Sequence, residues 1–444
     1  MSEVSERRIV FVVGAVQFVN ILDFMMVMPM GPDFARALGI PNSQLGYVGG
    51  AYTAAASVAG LVGASFLDRF DRKRALGFAL LGLSLGTALG GLARGLPSLM
   101  AARIFAGAFG GPATALAMSI VADVIPPARR GKAMGAVMGA FSAASVLGVP
   151  AGLELARRGG FRLPFFSVAV LGLLVWAFAM SSLPPLRAHL SLAARAGGRG
   201  GEGAGTLELL ARPTILASYA MTALAMMAGF VLIPNMSAHL QVNLGYPRAR
   251  LGLLYLAGGV VSFFAMRLAG RLVDRFGSYR VAVAAASIVA VVTWVGFGLP
   301  RPPVPIVLVF MGFMLSNSLR NVAYNTLTSK VPKPAERARF MSLQSAVQHA
   351  ASAIGAFLSA RMLHELPDGR FDGMRTVALT SISLALLVPV AMRIVERRVA
   401  AEAEGDAEGA AVWLERAEKY RRLRNLHYNE YQRRVAGRRA RHGA

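Results

Sequence analysis

Gly270-Arg271-Leu272-Val273-Asp274-Arg275-Phe276-Gly277 interrupts a part of the chain that is otherwise strongly apolar, and its core occurs twice. Asp274-Arg275-Phe276 stands 206 positions after Asp68-Arg69-Phe70, which lies within Ala64-Ser65-Phe66-Leu67-Asp68-Arg69-Phe70-Asp71-Arg72-Lys73. Each copy sits between two long apolar runs. Runs of about 20 residues suffice to cross a hydrocarbon core about 30 Å thick. In lipid only helices and closed barrels satisfy their own backbone. Other features keep the same spacing: Pro126 and Pro332 share the offset, and Arg130 and Met134 match Arg337 and Met341 with one residue inserted. Their fixed order in equivalent loops points to internal duplication, a common way of building transporters.

Working outward from these loops, the sequence contains twelve such runs: 9–30, 45–67, 75–92, 99–125, 133–155 and 164–183, then 213–236, 251–273, 281–299, 305–327, 341–363 and 374–394. The expected fold is an all-α membrane protein of twelve transmembrane helices in two pseudo-symmetric six-helix bundles. The expected domains are an N-terminal bundle (1–184), a linker loop (185–212) with a flexible Gly-rich core, a C-terminal bundle (213–396) and a basic tail (397–444). With the N-terminus inside, about 20 Lys and Arg fall on inner segments before the tail and about 11 on outer ones, so both termini are expected in the cytoplasm of a bacterial inner membrane.

Composition agrees. Hydrophobic residues make up 55% and charged residues 16%, against about 25% charged in soluble domains. The net charge of +24 lies in short clusters between apolar runs and in the tail, the pattern of inner loops, so no nucleic-acid partner is expected. With no cysteine, disulfides, thiolate metal sites and cysteine nucleophiles are excluded. Arg7 and Arg8 precede a run too long for a signal peptide, which reads as a retained first span. The one Gly-Lys pair, Gly131-Lys132, runs on into Ala133, and no strand precedes the linker glycines, so no phosphate loop is present. No nucleophile, base and orienting acid converge, so neither enzyme, cofactor nor metal is expected.

At the repeated loops the sequence resembles the major facilitator superfamily, whose signature reads Gly-x-x-x-Asp-Arg-x-Gly-Arg-Lys, and in particular its twelve-span drug/proton antiporter and sugar-efflux branches. Gly270, Asp274, Arg275 and Gly277 follow the pattern; the first copy keeps Asp68, Arg69, Arg72 and Lys73 but has Ala64 and Asp71 at the glycine positions. Arg103, Gly107 and Gly110 look like the family's fourth-span pattern. Gly148, Pro150 and Gly152 are similar to the antiporter motif of the fifth span, where proline and glycine bend or closely pack the helix. The resemblance implies that Asp68, Arg69, Arg72, Asp123, Asp274 and Arg275 form interhelical charge networks that lock an outward-facing state and break as the halves rock. It also implies that spans 1 and 4 line a central cavity.

Asp23 lies about 14 residues into the first run, roughly 21 Å from its inner edge at 1.5 Å per residue. Arg103, near the outer end of the fourth run, occupies a similar depth. An ionised carboxylate there is costly unless paired or wet, and intramembrane charge marks function by default. Asp23 and Arg103 are therefore the proton-coupling candidates, expected to face the cavity together; bracing of neighbouring helices is the alternative. Asn20, Asn317, Arg320, Asn321, Gln344, Gln348 and His349 are the substrate-cavity candidates, with interhelical hydrogen bonding as the alternative. Asn317, Asn321 and Asn325 share one helix face. Glu154, beside Arg157 and Arg158, reads as a rim residue.

The expected activity is proton-coupled secondary transport by alternating access, exporting small, partly apolar compounds, for which the 21 methionines suit an adaptable pocket. A sugar or polar-metabolite permease is the second reading, and a non-transporting receptor or scaffold acting through the tail a third. In that tail, Trp413, Leu414, Tyr420, Leu423, Leu426 and Tyr428 lie among basic residues, a composition suited equally to an amphipathic helix on anionic lipid and to a solvated segment.

Overall fold

The structure is a computed structural model, and it describes residues 3–67, 70–187, 208–333, 336–368, 370–402 and 404. The Gly-rich linker core, Asp68, Arg69 and the basic tail lie outside the described residues. The described residues up to 393 form one compact unit, and those from 394 onward belong to a second.

Among the described residues, eleven helical segments are long and apolar enough to cross a membrane. They are span 1 (Glu6–Val27), span 2 (Asn42–Gly63), span 3 (Arg72–Gly91), span 4 (Leu96–Val121), span 5 (Ala133–Gly159), span 6 (Arg162–Ser182), span 7 (Pro213–Asn243), span 8 (Arg248–Phe276), span 9 (Ser278–Gly298), span 10 (Ile306–Thr328) and span 12 (Met374–Glu402). The helix Arg337–Met362, 26 residues long, is span 11. Its length, about 39 Å at 1.5 Å per residue, suffices. It falls short in apolar content because it carries Gln344, Ser352 and Ser359, all buried, and a helix shielded by its neighbours has less need of a wholly apolar surface. The expected twelve-span, two-bundle fold is the one observed.

The packing repeats with the sequence. Span 2 packs on 4, 3 on 4 and 1 on 5 in the first half, while 8 packs on 10, 9 on 10 and 7 on 11 in the second. The halves meet where span 2 packs on 11 and span 8 on 5, pairings that exchange under the same two-fold relation. Both seams rely on glycine: a Cβ on Gly46 would strike the Ala356 carbonyl, and one on Gly259 would lie 3.0 Å from the Ser145 carbonyl oxygen. Small residues allow such backbone approach. The segment Ala144–Gly148 is π-helical, a distortion often found at functional positions.

The end of the molecule carrying the N-terminus and Asp71 is called the near end here, and the opposite one the far end. At the far end the halves are tied together. Arg248 holds Asp33 at 2.6 Å and donates to the Leu153 carbonyl at 3.1 Å, while the Ser237 hydroxyl donates to the Pro29 carbonyl at 2.6 Å. At the near end, Arg72–Asp123, Asp71–Arg187, Glu6–Arg129 and Arg212–Glu336 each join elements of one half.

The two loop repeats turn differently. Gly277 has φ 84°, a left-handed conformation natural to glycine. Asp71, at the equivalent position, has φ −57° and accepts from the Lys73 N–H. It serves as a helix N-cap, for which aspartate is among the preferred residues. The missing glycine is thus compensated by a different start to span 3.

Candidate functional site

The centre of the first half is a polar network sealed in apolar helix. Asp23 on span 1 is 0% exposed and Arg103 on span 4 is 1% exposed. The Arg103 Nη1 donates to both Asp23 oxygens, at 3.1 and 3.0 Å. Thr87 of span 3 donates to Asp23 Oδ1 at 2.7 Å. The Arg103 guanidinium lies 4.5 Å from the Tyr52 ring centroid, a cation–π contact that strengthens with desolvation. The Tyr52 hydroxyl, on span 2, donates to Asn20 Oδ1 at 2.8 Å, and Asn20 donates to the Gly110 carbonyl at 2.9 Å and to Thr114 Oγ1 at 2.6 Å.

Glycine makes the arrangement fit. A Cβ at Gly107 would strike the Tyr52 carbonyl, and one at Gly110 would strike the Tyr52 hydroxyl, so spans 2 and 4 touch backbone to backbone. The expectation that Asp23 and Arg103 meet at one depth holds. The expectation that they face an open cavity is corrected: Tyr52 and Thr87 close over the pair and both are buried, and the Arg103 Nε is itself buried with no hydrogen-bond partner among the described residues. A bare ion pair in a membrane interior is costly, and these neighbours replace the water that a cavity would supply.

In the second half, Arg320 on span 10 is 4% exposed and its Nη2 donates to Asn317 Oδ1 at 2.5 Å. Gln348 on span 11 donates to the Tyr324 hydroxyl at 3.2 Å. The Asn321 Oδ1 and Gln344 Oε1 atoms are buried without a hydrogen-bond partner. Asn325, expected on the same face as Asn317, is exposed. His349 contacts the Ser345 carbonyl of its own helix through Nδ1 at 2.9 Å. A groove of about 730 Å³ opens between spans 1, 5 and 6 near Glu6, Arg7 and Arg129; none of the cavity candidates lines it.

The near-end charges divide. Arg72 meets Asp123 at 3.2 Å, bringing two of the expected gating residues together; Asp68 and Arg69 lie outside the described residues. In the second half, Asp274 and Arg275 are exposed, Asp274 has no ion-pair partner among the described residues, and Arg275 lies over its own neighbour Phe276 at 5.2 Å. Fully solvated charges gain little from pairing. Of the fifth-span motif, a Cβ on Gly148 would lie 2.6 Å from Leu22, whereas one on Gly152 would have ordinary contact with Met26 at 3.6 Å. Close packing therefore falls on Gly148. Pro150 begins the regular helix Val149–Gly159 after the π-helical segment. Glu154 pairs with Arg157 and Arg158, each at 2.7 Å, and is partly exposed at the rim as expected.

Tyr52, Thr87, Thr114 and Tyr324 were not singled out by the sequence. A hydroxyl or aromatic residue inside a span is common, and what marks these four is their meeting with residues of other helices.

The Major Facilitator Superfamily model matches residues 13–356 and 218–430. The chain belongs to that superfamily. Its members are transporters rather than enzymes, and this chain is a multi-pass membrane transporter with relatives of the efflux type. It is 26% identical over 375 residues to the chloramphenicol resistance protein of Streptomyces lividans, covering 83% of this chain and 92% of that one. It is 28% identical over 193 residues to multidrug resistance protein 2 of Bacillus subtilis (strain 168), covering 43% of this chain and 47% of that one; the chain thus spans about half the length of that relative. The crystal structure of a D-xylose-proton symporter superposes with a TM-score of 0.69 at 19% identity, over 88% of this chain and 97% of that one, a likeness of fold.

Proposed function

We propose that this superfamily member is a proton-coupled exporter of small, partly apolar compounds, with both termini and the near end in the cytoplasm of a bacterial inner membrane. The supporting observation is the buried Asp23–Arg103 pair, held in common by spans 1 to 4. Protonating Asp23 removes one charge of the pair and leaves Arg103 to repack against Tyr52 and Thr87. A proton thereby acquires different affinities for two arrangements of the first half, the requirement for a ligand to shift a conformational equilibrium. The Asp33–Arg248 tie belongs, in this reading, to a state closed on the outer side. The cavity candidates of spans 10 and 11 face the substrate, and rocking about the glycine seams exposes them alternately to each side. Efflux relatives favour export.

The test is proton movement in proteoliposomes given chloramphenicol and a panel of lipophilic cations, with intact protein and with Asp23→Asn. Substrate-driven proton flux that the substitution abolishes while binding persists supports the reading. Unchanged flux removes Asp23 from the mechanism.

A polar-metabolite permease is the second reading, supported by the amides Asn317, Asn321, Gln344 and Gln348 clustered on two helices. D-xylose moving in the same liposomes while lipophilic compounds do not would favour it.

A further inference from the structure

The second half holds a buried cation that has no ion-pair partner among the described residues. Arg320 stands about 12 Å along span 10 from its near end at 1.5 Å per residue. Between residues 213 and 362 the only acidic residues are Asp274 and Glu336, both at near-end helix termini. In the first half the fold gives the buried Arg103 a carboxylate; here Arg320 has the Oδ1 of Asn317, one turn back on its own helix. Among the described residues its Nε has no hydrogen-bond partner, nor has the buried Oδ1 of Asn321, the next residue in sequence. Arginine keeps its charge in proteins, and a buried charge is normally paired. The site is therefore one negative charge short.

The surroundings indicate what brings that charge. The guanidinium lies over Gly229 of span 7, where a Cβ would come within 3.3 Å of Nη2. The next residue, Phe230, meets Phe24 of span 1 across the two halves, with ring centroids 5.8 Å apart. Arg320 and the Phe24–Phe230 pair thus meet consecutive residues of span 7 at the junction of the bundles. Guanidinium recognises planar carboxylates through two parallel hydrogen bonds. The Nε of Arg103 also lacks a hydrogen-bond partner; what sets Arg320 apart is that it pairs with no carboxylate among the described residues, whereas Arg103 pairs with Asp23.

We propose that Arg320 receives the carboxylate of an organic anion whose apolar body lies toward Phe24 and Phe230, so that the transported class includes small aromatic or branched carboxylates. This deepens the exporter reading and rests on it. The bound anion supplies the charge that Arg320 lacks and, by touching residues at the junction of the halves, is placed to sense their rocking.

The experiment is calorimetric titration of the purified full-length protein with salicylate, its neutral analogue salicylamide and sodium chloride, in native form and in Arg320→Gln, Arg320→Lys and Asn317→Asp. Salicylate is expected to bind about tenfold or more tighter than salicylamide, the discrimination of one charged hydrogen-bonded contact. Arg320→Gln is expected to bring salicylate down to the level of salicylamide, with Arg320→Lys between. Asn317→Asp places a carboxylate where an oxygen already accepts from Arg320, so it is expected to raise the melting temperature while abolishing salicylate binding; this variant carries the test should Arg320→Gln not fold. Equal binding of the two compounds, no salicylate binding, or salicylate binding that survives both Arg320→Gln and Asn317→Asp overturns the proposal. Chloride binding as tightly as salicylate also overturns it, marking a free-ion site. Chloramphenicol transport in the same preparation separates the two levels: if it moves and salicylate does not bind, the anion inference fails and the exporter reading stands, whereas if nothing moves the exporter reading falls as well.

Discussion

The Asp23 carboxylate and the Arg103 guanidinium meet through one nitrogen and both oxygens, at 3.0 and 3.1 Å, with neither side chain more than 1% exposed. A buried pair of this kind gives little net stability over apolar packing, but removing one partner costs about 3–5 kcal/mol because the other charge is stranded. Asp23→Ala and Arg103→Ala are each expected to destabilise by about that amount, and the double variant by clearly less than the sum. Thermal unfolding of the four proteins in one detergent measures it; additive losses would show that the charges are not coupled.

Close approach of spans 2 and 4 makes a second prediction. Gly107→Ala drives a methyl group into the Tyr52 carbonyl, and overpacking of this sort costs about 1–3 kcal/mol. Gly60→Ala has nothing within 4 Å of the added carbon and is expected to be neutral or to stabilise by about 0.5–1 kcal/mol through helix propensity. The same unfolding assay ranks them, and equal behaviour would mean that spans 2 and 4 do not touch at Gly107.

At the far end, Asp33–Arg248 bridges the halves while partly shielded from solvent, with 15% and 20% exposure. Losing about 1–2 kcal/mol here shifts populations about 5–30-fold. Because the chain has no cysteine, a single cysteine replacing Met30, which is fully buried, reports opening through its labelling rate. Asp33→Ala is expected to raise that rate, and Asp33→Arg combined with Arg248→Asp to lower it again. A rate indifferent to Asp33 would show that the tie does not hold the far end shut.

Asp71 gives a pH dependence. Burial pushes its carboxyl up, but hydrogen bonds from Arg187 and from the Leu186 and Lys73 N–H groups, together with the Arg187 charge, more than offset this and hold it below the usual carboxylate range. A depressed folded-state value means that the stabilisation is present above the unfolded value of about 3.9 and is lost as pH falls through the lower folded value. Asp71→Asn is expected to flatten the fall in melting temperature below about pH 4. An identical acid limb in both proteins would remove Asp71 as its source.

The sequence disclosed the spans because lipid demands uninterrupted apolar helix, and the duplication because Asp68-Arg69-Phe70 and Asp274-Arg275-Phe276 fall in corresponding loops. It also disclosed Asp23 and Arg103, since few charges sit that deep and the two share a depth. It did not disclose Tyr52 or Thr87, whose roles follow from the registers of spans 2 and 3 against span 4, a tertiary matter. Span 11 is legible as the run 341–363, and the surrounding helices explain why it can carry Gln344, Ser352 and Ser359, all buried. That Asp71 stands at a glycine position of the signature is legible in the sequence; that it acts there as a helix cap is shown by its bond from the Lys73 N–H.

The glycine contacts between span 2 and span 11 and between span 8 and span 5 have a mechanical consequence. Carbonyl against bare Cα is a smooth surface, although the seam of spans 2 and 11 also carries the bond from the Ser57 hydroxyl to the Ala346 carbonyl at 2.9 Å. Under the proposed rocking the two seams would act as bearings that set its axis while only weakly favouring one angle. The energetic preference for one angle over another is then fixed at the rims, by groups such as Asp33 and Arg248. Working direction and resting state can therefore be retuned by exchanging rim residues, with the cargo pocket left untouched.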